Sequence, residues 1–430
     1  MDYANPTEEN ISLLDWLYPL NKDFKMSVLQ IGAGGVGWVI AHKCAQNNDV
    51  FGDITLASRT ISKCEKIITS IKGRNNLKDN TKKMAAVAVN ADDLDALVKL
   101  INEVKPDLLI NAGPPWVNVN IMEACVLTKT AYLDTSVATD LCSPGQQVPE
   151  AYDPQWAFAE RFKEAGITGI LSAGCDPGVV SIFASYAHKH LFDEIDSIDV
   201  MDVNAGDHGQ KFATNFDPET NLLEIQGDSF YYENQQWKSV PCHSRMMEFD
   251  FPVVGSQKVY SMAHDEVRSL AEYIPAKRIE FWMGFSDTYL SYFNMMRDIG
   301  LLSPEPITTS DGITVKPLQV LKAILPDPTS LASGYTGKTC IGTWIRGQKN
   351  GLPKSVFIYN ICDHKESYIE VEHQAISYTT GVPAITAALL YFQGKWNDVG
   401  LYNVEQLNPD DFLDLLPRVG LTWQVQELEA

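Results

Sequence analysis

The sequence is poor in several features, and each shortage excludes a class of protein. No run of eighteen or more apolar residues occurs, so neither a membrane span nor a membrane partner is expected. The start lacks the basic residues, apolar stretch and small-residue cleavage site of a secretory leader, which makes a cytoplasmic location the expectation. None of the eight cysteines forms a C-x-x-C pair, and a chain of 430 residues does not need disulfide staples; reduced thiols are expected. Positive charge is scarce: 34 Lys and Arg stand against 55 Asp and Glu, a net charge of −21. Nucleic acid is excluded as a partner on that ground, because binding it means neutralising phosphates. Such a field draws in cationic ligands, although an acidic surface also simply keeps an enzyme soluble. Metal-ligand spacing is missing too. His188 and His190, two apart on an expected helix, do not share a face, and no metal is expected.

What is present is a regular alternation. Apolar segments at 28–31, 54–57, 85–89, 108–110, 131–133 and 168–172 read as strands, separated by helical patterns at 36–47, 62–72, 93–104, 118–128 and 155–165. Strands alternating with helices of this length imply βαβ units and a parallel sheet. After about residue 195 the pattern changes. Segments 195–204, 259–262, 278–283, 339–346 and 355–362 read as strands of a mixed or antiparallel sheet, and 377–393 returns to an apolar helix. The expected fold class is α/β: a doubly wound Rossmann sheet plus an α+β domain for substrate and dimerisation. The expected division is an extension over 1–25, a cofactor domain over 26–194, a substrate domain over 195–376, and C-terminal helices over 377–430 that return to the first domain.

Directly after the first strand comes Gly32-Ala33-Gly34-Gly35-Val36-Gly37, opening a helix. This is the context that a dinucleotide fingerprint requires. Gly32 permits the tight turn, Gly34 leaves room for a pyrophosphate, and Gly37 lets helix and strand pack closely. Phosphate then meets free N–H groups at the helix N-terminus. An NAD site usually places Asp or Glu about twenty residues further on. Here that position reads Ser58-Arg59-Thr60, with Lys63 close behind and no carboxylate. A guanidinium, hydroxyls and an ammonium suit a 2′-phosphate, so NADPH is the expected cofactor. Later strand ends border the same crevice: Asp92 beside the adenine, and Asn111-Ala112-Gly113-Pro114 beside the nicotinamide. Each of these also suits an ordinary turn.

The turn Ala173-Gly174-Cys175-Asp176-Pro177-Gly178 follows the sixth strand. Pro177 suits a first helical turn, and Asp176 either caps the helix or faces the ligand. Cys175 belongs with the cofactor-site residues and has two readings. One is a thiol nucleophile activated by the helix dipole, as in an aldehyde-oxidising enzyme. The other is a small packing residue.

Several stretches together resemble a family. They are residues 31–37 and 54–60, Asn204-Ala205-Gly206-Asp207-His208-Gly209, Phe212-Ala213-Thr214-Asn215-Phe216, Tyr335-Thr336-Gly337-Lys338-Thr339, Ile345-Arg346-Gly347, Cys362-Asp363-His364 and residues 377–384. In these the chain is similar to the carboxynorspermidine/carboxyspermidine dehydrogenases of the saccharopine dehydrogenase superfamily. The likeness runs from residue 26 to about 425. It departs at Gly113-Pro114-Pro115-Trp116 and at Cys175, where the family has other residues.

The resemblance implies reductive condensation of L-aspartate β-semialdehyde with putrescine or 1,3-diaminopropane, using NADPH, in polyamine biosynthesis. It also implies a homodimer. Asp207, His208, Asp363 and His364 fall where the family's motifs put the substrate site and are the candidate acids and bases. Asp-His pairs are equally often loop hydrogen-bonding units. Asp202 and Asn215 are candidate substrate contacts, and Lys338 or Arg346 would hold the substrate carboxylate. The competing readings are a saccharopine- or homospermidine-forming enzyme of the same superfamily, the Cys175 aldehyde dehydrogenase, and a non-catalytic NADPH sensor.

Overall fold

Short runs of β-branched and aliphatic residues make the strands of the first sheet; burial on both faces keeps the runs at 108–111, 131–134 and 168–171 almost wholly apolar, while the edge run at 84–88 is only partly covered. In the computed structural model, which describes residues 26–138 and 149–429, these are β1 (Ser27–Ile31), β2 (Asp53–Ser58), β3 (Met84–Ala88), β4 (Leu108–Asn111), β5 (Ala131–Asp134) and β6 (Thr168–Leu171). The extension over 1–25 lies outside the described residues. All neighbouring pairs are parallel, in the order β6-β5-β4-β1-β2-β3, with Gly400–Asn403 added beside β6. The order reverses between β1 and β4, which opens a crevice at the carboxyl ends of the strands. The α/β Rossmann expectation agrees with this sheet.

The second sheet is mixed and has nine strands. β7 (Glu194–Asn204) lies at its centre, parallel to Ala276–Gly284 and antiparallel to Lys338–Lys349. Gly255–Met262 and Met246–Phe251 extend one side, while Leu352–Asp363 and Trp423–Leu428 extend the other. Helix Val179–His190 leads from β6 to β7 and packs on the second sheet, where the Thr343 hydroxyl donates to the Val180 carbonyl at 2.9 Å.

The C-terminal region was expected to be helical. The structure has helices Ala375–Phe392 and Pro409–Val419 there and adds two strands, Gly400–Asn403 and Trp423–Leu428, one on each sheet. Edge pairing overrides the weak local pattern there. The strands at 229–251 were also unforeseen, because their half-exposed faces mix aromatic and charged residues.

Helix Ala375–Phe392 is long and apolar enough to cross a membrane, but most of it is buried in protein. It packs against helix Gly35–Gln46 so closely that a Cβ on Gly381 would meet Val39 Cγ1 at 2.7 Å. Buried Lys43 fastens the same contact. Its ammonium donates to the Tyr378 hydroxyl at 2.9 Å and the Val419 carbonyl at 2.8 Å, and it pairs with Glu370. The helix that follows the glycine turn is thus locked to the C-terminal part of the chain, and this sets the back wall of the crevice.

Candidate active site

A cleft of about 780 Å³ runs along the carboxyl ends of β1 to β4 and under segments of the second half of the chain. Its nucleotide wall is built by the glycine turn. Gly32 has φ +107°, and a Cβ there would meet the Ala112 carbonyl oxygen at 2.2 Å. A Cβ on Gly37 would lie 2.4 Å from the Gly32 oxygen, whereas one on Gly34 would meet nothing within 4 Å. The turn is therefore closed behind and open in front. Gln30, fully buried in β1, holds this shape by donating to the Gly32 and Gly37 carbonyls at 2.8 and 2.7 Å. Sequence reasoning missed Gln30; a lone polar residue in an apolar strand just before the glycines was its signal.

Gly35, Val36, Ser58, Arg59, Thr60, Lys63, Asp92, Ala112, Gly113 and Pro114 line the cleft with Gly32 and Gly34, as expected from their places at strand ends. Arg59, Thr60 and Lys63 are exposed. Gly37 does not line it; its small size serves helix–strand packing. Asn111 is corrected from a cofactor contact to a scaffold. Its side chain donates to Asn118 Oδ1 at 2.8 Å and accepts from the Gly113 amide at 2.9 Å, which shapes the loop that does face the cleft.

The opposite wall carries carboxylates. Asp176, from the turn after β6, and Asp202, from β7, both line the cleft, and each carboxyl lies close enough to act on the other's charge. Two carboxyls this close, both removed from water, favour sharing one proton. Burial pushes Asp202 up to about 6. Burial and the Asp202 charge push Asp176 well above the usual carboxylate range. Asp265 and Glu224 line the same wall, and burial raises Asp265 to about 7. Between them sits His264, stacked on Phe281 at 4.0 Å, with Nε2 at 3.1 Å from Glu224 and Nδ1 bonded to Glu266. Burial opposes the charged ring, but Glu266 and Glu224 outweigh it and lift His264 well above the ordinary imidazole value. The wall is thus a proton-sharing carboxyl pair beside an imidazolium held by two carboxylates. Such groups can accept and return protons near neutral pH and stabilise a cation.

The Asp-His motifs take other places. Asp363 caps helix His364–Val371 by accepting from the Lys365 and Glu366 amides at 2.8 and 3.2 Å. Asp207 accepts from the Gly209 amide at 2.7 Å in a tight turn. The His364 ring stacks on Tyr335 at 3.7 Å and bonds Asn204 at 2.9 Å, and burial lowers its pKa to about 4. His208 packs edge-on against Tyr335 at 5.4 Å. None of these four lines the cleft, so the candidate acids and bases are corrected to a supporting network. That network reaches the cleft through Asn215, whose Oδ1 accepts from the Tyr335 hydroxyl at 2.7 Å.

Four further residues stand elsewhere than expected. Cys175 is 1% exposed and outside the cleft, not at the cofactor site, and burial raises its thiol well above the ordinary value, which fits the packing reading. Lys338 stands 3.6 Å from Asp363, away from the cleft. Arg346 binds buried Asp199 at 2.6 Å and Ser197 at 2.9 Å, because it lies in the strand beside β7 with its guanidinium over Trp344. Pro177 precedes helix Val179–His190 and does not form its first turn; Gly178 is the N-cap and Asp176 is left to face the cleft. Sequence reasoning missed Glu224, His264, Asp265 and Glu266. The run His264-Asp265-Glu266 at the end of an apolar strand was the available signal; Glu224 had none.

Comparison with known proteins bears on this two-walled cleft. Residues 28–170 match the saccharopine dehydrogenase NADP binding domain, and residues 174–421 match the saccharopine dehydrogenase C-terminal domain. The chain belongs to the saccharopine dehydrogenase family. Family members from Vibrio alginolyticus and Vibrio cholerae, both named carboxynorspermidine synthase, are each 74% identical over 404 residues, 94% of this chain and 98% of theirs. Carboxyaminopropylagmatine dehydrogenase of Synechocystis is 42% identical over 92% of this chain and 96% of its own. Saccharopine dehydrogenase (L-Glu forming) of Saccharomyces cerevisiae shares the fold, with a TM-score of 0.66 at 14% identity over 94% of this chain and all of that one.

The chain is an oxidoreductase and its cofactor is NADP(H). The open space in front of Gly34, and the cations at the end of β2 where a carboxylate would mark NAD, fit that cofactor.

Proposed function

We propose that the chain joins L-aspartate β-semialdehyde to a diamine, putrescine or 1,3-diaminopropane, by NADPH-dependent reductive condensation, forming a carboxylated polyamine. The observation that carries this reading is the carboxylate wall facing the glycine turn. A diamine is a dication near neutral pH, and its amines have pKa values near 10. Asp202 and Glu224, joined by Asp265 above its pKa of about 7, supply the negative field such a substrate needs.

The steps follow from the proton affinities of the pair. The Asp202 carboxylate takes a proton from the attacking ammonium. The free amine adds to the aldehyde carbon. The Asp176–Asp202 pair returns a proton to the hydroxyl, which leaves as water and gives a protonated imine. The surrounding carboxylates stabilise that cation. Bound NADPH supplies the hydride that turns the imine carbon into the carbon of a secondary amine. Arg59 and Lys63 would hold the 2′-phosphate of the cofactor, and the amides after Gly34 its pyrophosphate. Residues 26–194 then serve the cofactor, 195–376 the substrate and 377–430 the closure of the first domain. The enzyme acts as a homodimer in the cytoplasm.

The test is NADPH oxidation with aspartate β-semialdehyde and, in turn, putrescine, 1,3-diaminopropane and agmatine, with product masses measured. The expected product is diamine plus aldehyde, less water, plus two hydrogens. No oxidation with any of the amines, or oxidation only with amino-acid partners of the saccharopine type, would overturn the reading.

A further inference from the structure

We propose that His373, with Ser377, forms a second grip on the cofactor's pyrophosphate, supplied by the C-terminal helix. This rests on the NADP(H) cofactor and not on the amine chemistry.

Two helix N-termini meet in the cleft. Helix Gly35–Gln46 starts at Gly34 and helix Ala375–Phe392 starts at Gln374, and neither has a side-chain cap. A Cβ built on Gly35 would lie 2.6 Å from Ser377 Oγ, 2.7 Å from His373 Cε1 and 3.1 Å from His373 Nε2. Both side chains therefore stand against the first residue of the phosphate-binding helix.

The independent observation is the state of the ring. His373 is 2% exposed, lines the cleft, and has no hydrogen-bond partner on either nitrogen among the described residues. Burial lowers its pKa to about 4, so the ring is neutral and carries one N–H donor. Leaving a buried donor unpaired is costly, and an anion oxygen in front of Gly35 would satisfy it. Trp38 packs beside the ring at 6.3 Å and offers no acceptor there, because its own N–H donates to the Val371 carbonyl. The nearby carboxylate, Asp327, is turned into its own loop, accepting from the Thr329 amide and hydroxyl at 2.9 and 2.7 Å. The pyrophosphate would thus sit between two positive helix ends, with one imidazole and one hydroxyl donor from the far side.

The experiment titrates the full chain with NADPH, with 2′-phospho-ADP-ribose and with adenosine 2′-monophosphate, which lacks the pyrophosphate. His373→Ala should weaken the first two roughly ten- to hundredfold and leave the third unchanged, as loss of a hydrogen bond to a charged group predicts. His373→Gln keeps a donor and should recover part of the loss. Lys63→Ala should weaken all three ligands. If His373→Ala fails to fold, Ser377→Ala is read by the same pattern. NADPH binding equal to the unmodified protein, or an equal loss for adenosine 2′-monophosphate, would overturn the proposal; the second outcome would make His373 a packing residue.

Discussion

On the glycine-turn wall of the cleft the binding groups are backbone amides, hydroxyls and exposed cations. On the facing wall they are half-buried carboxyls around an imidazolium. The first wall recognises an anion with groups that need no change of protonation. The second is held close to its titration range by burial, with Asp202 near 6 and Asp265 near 7. The contrast separates two tasks. On the proposed reading, cofactor affinity would reside in geometry fixed by the turn, and proton handling in side chains whose charge the fold has unsettled. Each wall should then be breakable without the other.

The largest effect is expected on the carboxylate wall. Asp202→Asn removes the proposed proton acceptor, and kcat/KM for the diamine should fall about 10²- to 10⁴-fold. NADPH affinity, measured by direct titration, should stay within about twofold, because the nucleotide wall is untouched. Equal losses in both would erase the distinction between the walls. On the other side, Arg59→Ala should lower kcat/KM for NADPH roughly ten- to hundredfold while leaving the rate with NADH unchanged. A parallel fall with NADH would show that Arg59 does not read the 2′-phosphate. The smallest effect tests the supporting network. Asp363→Ala removes a helix cap and should cost about 1 kcal/mol in denaturant unfolding, with kcat/KM changed by no more than about twofold. A large kinetic loss at full stability would return Asp363 to the active site.

The two walls also differ in how much of them the sequence discloses. The nucleotide wall is nearly contiguous. A glycine run after an apolar strand, and a cationic stretch after the next strand, have meaning only in a Rossmann turn, so their positions could be read off directly. The carboxylate wall is assembled from a turn at 176, a central strand at 202, a helix end at 224 and a loop at 264–265. No local spacing connects them. Asp202 was singled out only through its neighbourhood to Asp207, and the alternation of β7 explains which of the two matters. Residues 202 and 204 share one face of the strand, so Asp202 reaches the cleft while Asn204 reaches Tyr335 and His364. Asp207 lies past the strand end and is used by its turn. The Asp-His pairs were conspicuous because caps and turns favour the same residue types as catalysis. The added strands of both sheets were hidden for a different reason: edge strands need little hydrophobic pattern, since pairing supplies what propensity does not.

The most direct test of the account is the pH dependence of kcat/KM for the diamine. Asp202 must be a carboxylate to accept the proton, and burial raises its pKa to about 6. The rate should therefore fall on the acid side with an apparent pKa near 6 that belongs to the Asp176–Asp202 pair. Below that value it should drop about tenfold per pH unit. In Asp202→Asn this acid limb should disappear and leave a low, flat rate. An acid limb that persists unchanged in Asp202→Asn would contradict the account and place the proton acceptor elsewhere in the cleft.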